Sequence, residues 1–250
     1  MDIQNIKTTR ILSCIPINSI NQKTLKPHSM GSGCFVNYKD CLVFLTVLHA
    51  VEAETDITHG IVVDYNLEKG GTLLCEFNDF SICAMGNIST NKIDMIDFAM
   101  KKFTTPMPPC KYLINKNNQG EFDRIDRISL TSDLSVLPTI HEEYGFCGLI
   151  KGKLIENENT LGLYSTLAYY DNVRYVKSEE CFHIFALENK NYSHEDFMGT
   201  SGAPIIDSKG NLVSLVMSGC PSQTNPKEWL IYGVNLSKLS SVIDINCGLI

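Results

Sequence analysis

Long apolar runs are missing from this 250-residue chain. Its most apolar stretch, Cys41 to Val51, covers 11 residues, too few for a helix to cross a bilayer, so no membrane span is expected. The amino terminus, Met1 to Lys7, lacks the charged start, apolar middle and small-residue cleavage site of a secretory signal. Clusters of lysine or arginine are absent and the formal net charge is −7, which leaves no electrostatic footprint for nucleic acid. Neither a Cys-x-x-Cys pair nor a His-x-x-x-His pair occurs, so no metal and no cofactor is expected. Long segments with a 3.6-residue apolar period are lacking too, which argues against a helical bundle. Low-complexity tracts and internal repeats are absent, and 44% of the residues are hydrophobic, so the chain reads as an ordered globule with a sizeable core.

Cysteine, in contrast, is plentiful. Ten cysteines are scattered without the paired spacing of a disulfide framework. Reduced, mostly buried cysteines suit a cytoplasmic protein, which is the compartment expected.

What fills the chain is a succession of short apolar or alternating runs: Ile11 to Ile15, Gly33 to Asn37, Cys41 to Leu48, Gly60 to Tyr65, Thr72 to Met85 and Phe98 to Phe103. The proline-bearing stretch Thr104 to Pro109 and the polar Asn115 to Gln119 read as a linker. A second series follows: Tyr144 to Ile150, Lys153 to Ile155, Cys181 to Leu187, Pro204 to Ile206, Leu212 to Met217 and Leu230 to Val234. The pattern predicts an all-β chain, an antiparallel barrel or sandwich, with one barrel expected on each side of the linker, over residues 1–118 and 119–250. Ser237 to Ile243 is expected as a short terminal helix.

Three segments carry chemistry. Ser201 stands in Gly199-Thr200-Ser201-Gly202-Ala203-Pro204, His49 follows the apolar Leu45 to Leu48, and Asp97 immediately precedes the apolar Phe98-Ala99-Met100. A serine hydroxyl becomes a nucleophile when a histidine takes its proton and a carboxylate holds the imidazole in the right tautomer. The flanking glycines allow a tight turn that frees the amides of Gly199 and Ser201 to face a developing oxyanion. Asp94 and, less strongly, Asp79 compete with Asp97. His28, His59, His141, His183 and His194 lack comparable company and read as ordinary core or surface histidines. Cys147, in Gly145-Phe146-Cys147-Gly148, is an alternative nucleophile, but choosing it leaves Gly199 to Pro204 without a role.

The order His49, Asp97, Ser201, with Met30 to Val36 ahead of the histidine, resembles the trypsin-like serine peptidases, in particular the intracellular and bacterial HtrA-type branch, here without a PDZ-like extension. The resemblance implies two six-stranded antiparallel barrels of the trypsin-like kind, with the active site in the cleft between them. The first barrel carries His49 and Asp97 and the second Ser201. It also implies an endopeptidase that works on a protein or peptide substrate through an acyl-enzyme. The substrate backbone would pair with the strand ending at Met217-Ser218-Gly219. Glu195, six residues before the serine, sits where a trypsin-type relative binds basic side chains, while Met217 suggests an apolar wall instead. Two positions depart from secreted digestive relatives: Ala50 and Phe197 stand where those relatives carry bridging cysteines. Nor does an Ile-Val-Gly-Gly-like activation point precede the first strand, so the enzyme is either constitutively competent or ordered by a regulatory protein partner, and control by a partner or ligand is the expectation. The alternatives are a catalytically silent binding module of the same fold and an esterase. The esterase ranks last because no Gly-x-Ser-x-Gly elbow is present.

Overall fold

The computed structural model describes residues 3–24, 26–51, 56–66, 71–76, 78–87, 92–104, 110–115, 122–157, 160–188 and 190–250. Residues 105–109 and 116–119 of the expected linker, and with them the boundary at residue 118, lie outside the described residues.

The alternating runs form strands. In the first half, β1 (Ile15–Asn21), β2 (Pro27–Tyr38), β3 (Cys41–Thr46), β4 (Ile57–Asn66), β5 (Gly71–Glu76), β6 (Ser81–Asn87) and β7 (Lys92–Phe103) make an antiparallel sheet in the order β5-β4-β1-β2-β3-β7-β6. A hairpin of β8 (Lys111–Asn115) and β9 (Phe122–Asp126) follows, and β10 (Leu130–Thr131) adds to β2 in parallel. In the second half, β11 (Glu143–Asn157), β12 (Thr160–Glu179), β13 (Phe182–Glu188), β14 (Pro204–Asp207), β15 (Leu212–Pro221) and β16 (Glu228–Val234) close into the expected barrel, in the order β11-β12-β13-β16-β15-β14. The chain then ends in a short helix, α2 (Ser240–Cys247).

Burial follows the alternation, since successive side chains in a strand face opposite sides of the sheet. Ile15, Ile17, Phe35, Phe44 and Ile61 cluster within the first sheet, and Tyr144, Phe146, Phe185, Ile205 and Ile231 within the barrel. A third cluster joins the two halves: Val36, Leu45 and Phe98 of the sheet pack with Ile206, Leu215 and Val234 of the barrel and with Leu239 and Ile243 at the terminal helix. Among the described residues no helix is long and apolar enough to cross a membrane.

One expected strand is corrected. The run Ile11 to Ile15 does not start the first sheet: residues Ile3–Ser13 form a helix, α1, and β1 begins only at Ile15. The buried face of α1 includes Ile6, Arg10 and Ser13, spaced i, i+4, i+7, so the helical period is there but is marked by a guanidinium and a hydroxyl as well as an apolar side chain. Arg10 reaches into the second barrel, where Nη2 donates to the Ile206 carbonyl at 3.0 Å and Nη1 to the Tyr169 hydroxyl at 3.1 Å. A side chain at Gly145 would put its Cβ 2.5 Å from Arg10 Nη1, which explains the glycine there.

His183 on β13 is 1% exposed, and its Nδ1 meets Ser178 Oγ at 2.7 Å. Burial disfavours the imidazolium and pushes the His183 pKa down to about 4. In the unfolded chain the same group binds a proton near pH 6.5, so below that pH the unfolded state takes up more protons and stability falls as pH falls toward the folded value. Between pH 7 and 5 this one group is expected to lower unfolding stability by about 2 kcal/mol. Urea titrations at both pH values check this: His183→Leu should flatten the pH dependence by that amount, and an unchanged slope would refute the assignment.

Candidate active site

His49 leaves the end of β3 on a single turn of 3-10 helix, Leu48–Ala50. That turn packs close to β2, where a Cβ on Gly31 would lie 2.8 Å from Ala50 Cβ. Asp97 belongs to β7 at an irregularity in its pairing with β6: Ile82 pairs with Ala99 and Cys83 with Ile96, so Asp97 and Phe98 fall between paired positions. Such bulges re-aim side chains. Here the carboxylate receives the His49 backbone N–H on Oδ1 at 3.0 Å and faces His49 Nδ1 with Oδ2 at 2.7 Å. Two contacts from one carboxylate fix both the turn and the ring, with the proton held on Nδ1 and Nε2 left as the basic nitrogen.

Ser201 sits in a loop whose glycines are required by its conformation. Gly199 has φ +99° and Gly202 φ +87°, in the left-handed region that L side chains seldom adopt. Space is lacking as well: a Cβ on Gly199 would come 2.2 Å from the Leu149 carbonyl oxygen and one on Gly202 1.9 Å from the Ser32 carbonyl oxygen. Hydrogen bonds then pin the loop. Ser32 Oγ donates to the Gly199 carbonyl at 2.7 Å, Ser32 N–H to the Ser201 carbonyl at 2.8 Å, and Gly202 N–H to the Val216 carbonyl at 2.7 Å. With those carbonyls engaged, the N–H groups of Gly199 and Ser201 have no acceptor among the described residues. They remain as two donors beside the serine.

His49, Asp97, Gly199, Ser201, Met217, Ser218 and Gly219 all line one cleft of about 500 Å³ between the sheet and the barrel. Glu195 does not. It is exposed on a 3-10 turn, His194–Asp196, outside that lining. Spacing from the serine places it near the site along the chain, but the turn carries its neighbour His194 to the cleft instead. The Asp196 carboxylate is also engaged elsewhere. Its Oδ1 pairs with Lys151 at 2.6 Å and its Oδ2 receives the Ser193 N–H at 2.8 Å, contacts that hold its pKa down to about 2.

Of the competing residues, Asp79 is exposed in a loop, and the side chain of Asp94 lies outside the described residues. Cys147 is fully buried in β11, its thiol donating to the Arg10 carbonyl at 3.1 Å. A hydrogen bond with Cys14, together with burial, pushes that thiol well above its ordinary pKa, which suits a core residue and not a nucleophile.

Two features went unread in the sequence. Ser32 is one, hidden inside a strand as an unremarkable small residue. The other is an aromatic stack behind the Ser201 loop: Trp229 on Phe197 at 5.0 Å, Phe197 on Tyr170 at 5.0 Å and Tyr170 on Phe146 at 4.7 Å between ring centroids. Phe197 carried a signal only through the resemblance, which implies a bridging cysteine where this bulky ring stands.

Solved structures match this architecture along nearly its whole length. The chain has the chymotrypsin fold. A crystal structure of scabies mite inactivated protease paralogue S-D1 aligns with 96% of this chain and 94% of its own at 12% identity and a TM-score of 0.57. HL collagenase aligns with 97% of this chain and 96% of its own at 15% identity and a TM-score of 0.51. No protein-family model matches the sequence, and no curated protein does. At these identities the likeness is one of fold.

The glycines give a local test. Gly202→Ala combines a disfavoured φ with a collision against β2 and should cost more than about 2 kcal/mol of unfolding stability. Gly248, also at positive φ (+71°) but with nothing within 4 Å of an added Cβ, should cost about 1 kcal/mol as alanine. Equal losses in denaturant titrations would contradict the packing described around Ser32.

Proposed function

We propose that this chain is a serine endopeptidase that hydrolyses peptide bonds of a protein substrate. The observation that carries the reading is the His49 Nδ1 to Asp97 Oδ2 contact of 2.7 Å on the wall of the cleft that Ser201 also lines. Ser201 Oγ attacks the scissile carbonyl while His49 Nε2 takes its proton. The amides of Gly199 and Ser201 receive the oxyanion, and His49 returns the proton to the leaving amine. Water then releases the acyl-enzyme by the same route in reverse. Asp97 holds the imidazole in its tautomer and stabilises its charged form.

The strand β15 supports an extended substrate. On one side it pairs with β16 as far as Pro221, while on the other its bonds to the nucleophile loop and β14 end at Val216. Met217 to Gly219 therefore offer an open edge beside the cleft, suited to a peptide that adds a strand.

The finer reading is also a proposal: an intracellular peptidase akin to the HtrA-type branch, working in the cytoplasm and controlled by a protein partner. None of the ten cysteines forms a disulfide, which favours a reducing compartment, and the nucleophile loop is braced without one. The competing reading, a silent binding module, has one observation behind it: a structure similar to this one is named an inactivated protease paralogue. Retention of all three groups around one cleft favours activity.

A fluorophosphonate probe tests the choice. Wild type should label on Ser201, and Ser201→Ala should not label at all. Asp97→Asn should slow labelling and peptide hydrolysis by up to about ten-thousandfold, the scale known for chymotrypsin-type triads. Wild type that fails to label, alone and with cell extract added to supply a partner, would favour the binding module.

A further inference from the structure

Resting on the peptidase reading, we infer that the cleft selects an apolar side chain of the leucine, methionine or phenylalanine class at the residue whose carbonyl Ser201 attacks. The acids that would receive a lysine or arginine either lie outside the cleft or are engaged by other groups. Glu195 is exposed outside the lining, Asp196 is paired with Lys151 and capped by Ser193, and Asp97 is held by His49. A basic side chain entering beside Ser201 would leave water without a fixed anion to meet, and such a burial is unfavourable.

The walls have the opposite character. Met198, 61% exposed, and Met217 flank the nucleophile loop and line the cleft, with Phe197 beneath them. Methionine is flexible and polarisable, so a pair of them adapts to apolar side chains of different shape. Met217 is also the residue that interrupts the pairing of β15 with β16, between Val216 and Ser218, at the start of the open edge. A substrate strand laid on that edge would pass its side chains close to Met217.

Depth is limited by what stands behind. The Trp229 ring stacks on Phe197 at an interplanar angle of 15° and backs Gly219, where an added Cβ would lie 2.7 Å from Trp229 Nε1 and 3.2 Å from Ile231 Cδ1. Gly219 thus keeps the wall at backbone level over an aromatic floor.

The test uses peptides that differ only at the attacked residue (Leu, Met, Phe, Glu, Lys or Arg), read two ways: binding to Ser201→Ala by fluorescence polarisation and turnover by wild type. The apolar peptides should bind at least about tenfold more tightly than the basic ones, the scale on which an apolar pocket discriminates. Met217→Asp should move the order toward Lys and Arg by a similar factor while the thermal midpoint of that variant shows it folded. Basic peptides binding as tightly as apolar ones, a loss of basic-peptide binding in Glu195→Gln, or no peptide binding by Ser201→Ala would overturn the assignment. Apolar preference without turnover would leave it standing and remove the peptidase reading. Turnover with a basic preference would do the reverse.

Discussion

The site depends on Ser32. This fully buried residue of β2 uses all its polar atoms at the junction of the two halves: its hydroxyl and N–H cross it to hold the carbonyls of Gly199 and Ser201, and its own carbonyl accepts from Thr46 Oγ1 of the neighbouring β3 at 2.7 Å. Thr46 lies three residues before His49. One residue therefore links the strand that leads to His49 to the loop that carries Ser201, although those groups are 152 positions apart in the chain. Each bond is modest alone, roughly 1 kcal/mol net, but leaving any of these buried groups without a partner costs more than making the bond gains. The penalty for misalignment, more than the attraction, keeps the two halves in register.

A second brace works from behind. Where a disulfide is absent, Phe197 lies between Trp229 and Tyr170, both stacked on it at 5.0 Å. Ring pairs of this kind add about 0.5–1.5 kcal/mol each beyond the apolar area they bury. The stack connects the loop before Ser201 to β16 and β12, and to β11 through Phe146, so three separate strands hold the loop without covalent closure. A disulfide acts largely by restricting the unfolded chain, whereas this stack acts in the folded state and survives a reducing environment.

Much of this was legible in the sequence, and the exceptions share a cause. Alternating runs such as Cys41 to Leu48 announce strands because a period of two survives whatever the partner strand is. The loop Gly199 to Pro204 announces itself because positive φ at Gly199 and Gly202 demands glycine. In the sequence only the apolar run after it separates Asp97 from its neighbour Asp94, whereas the cause of its orientation is a slip of β7 against β6, which requires knowing both strands. Glu195 failed in the same way: distance along the chain from Ser201 does not say which side of a 3-10 turn faces the cleft. Ser32 was invisible because its partners lie in other elements.

The helix α1 carries this reasoning furthest, since the feature that concealed it also explains its position. A guanidinium 5% exposed, with the Ile206 carbonyl and the Tyr169 hydroxyl among its partners, is an expensive way to dock a helix. An apolar side chain in its place would bury area at lower penalty but would fit several rotations and shifts of the helix about equally well. Arg10 fits one, because the space for its fork is left by Gly145 and its acceptor is a carbonyl on β14, the strand that leaves the Ser201 loop. The buried charge thus contributes position more than stability, and the position it fixes is that of the strand on which Ser201 depends.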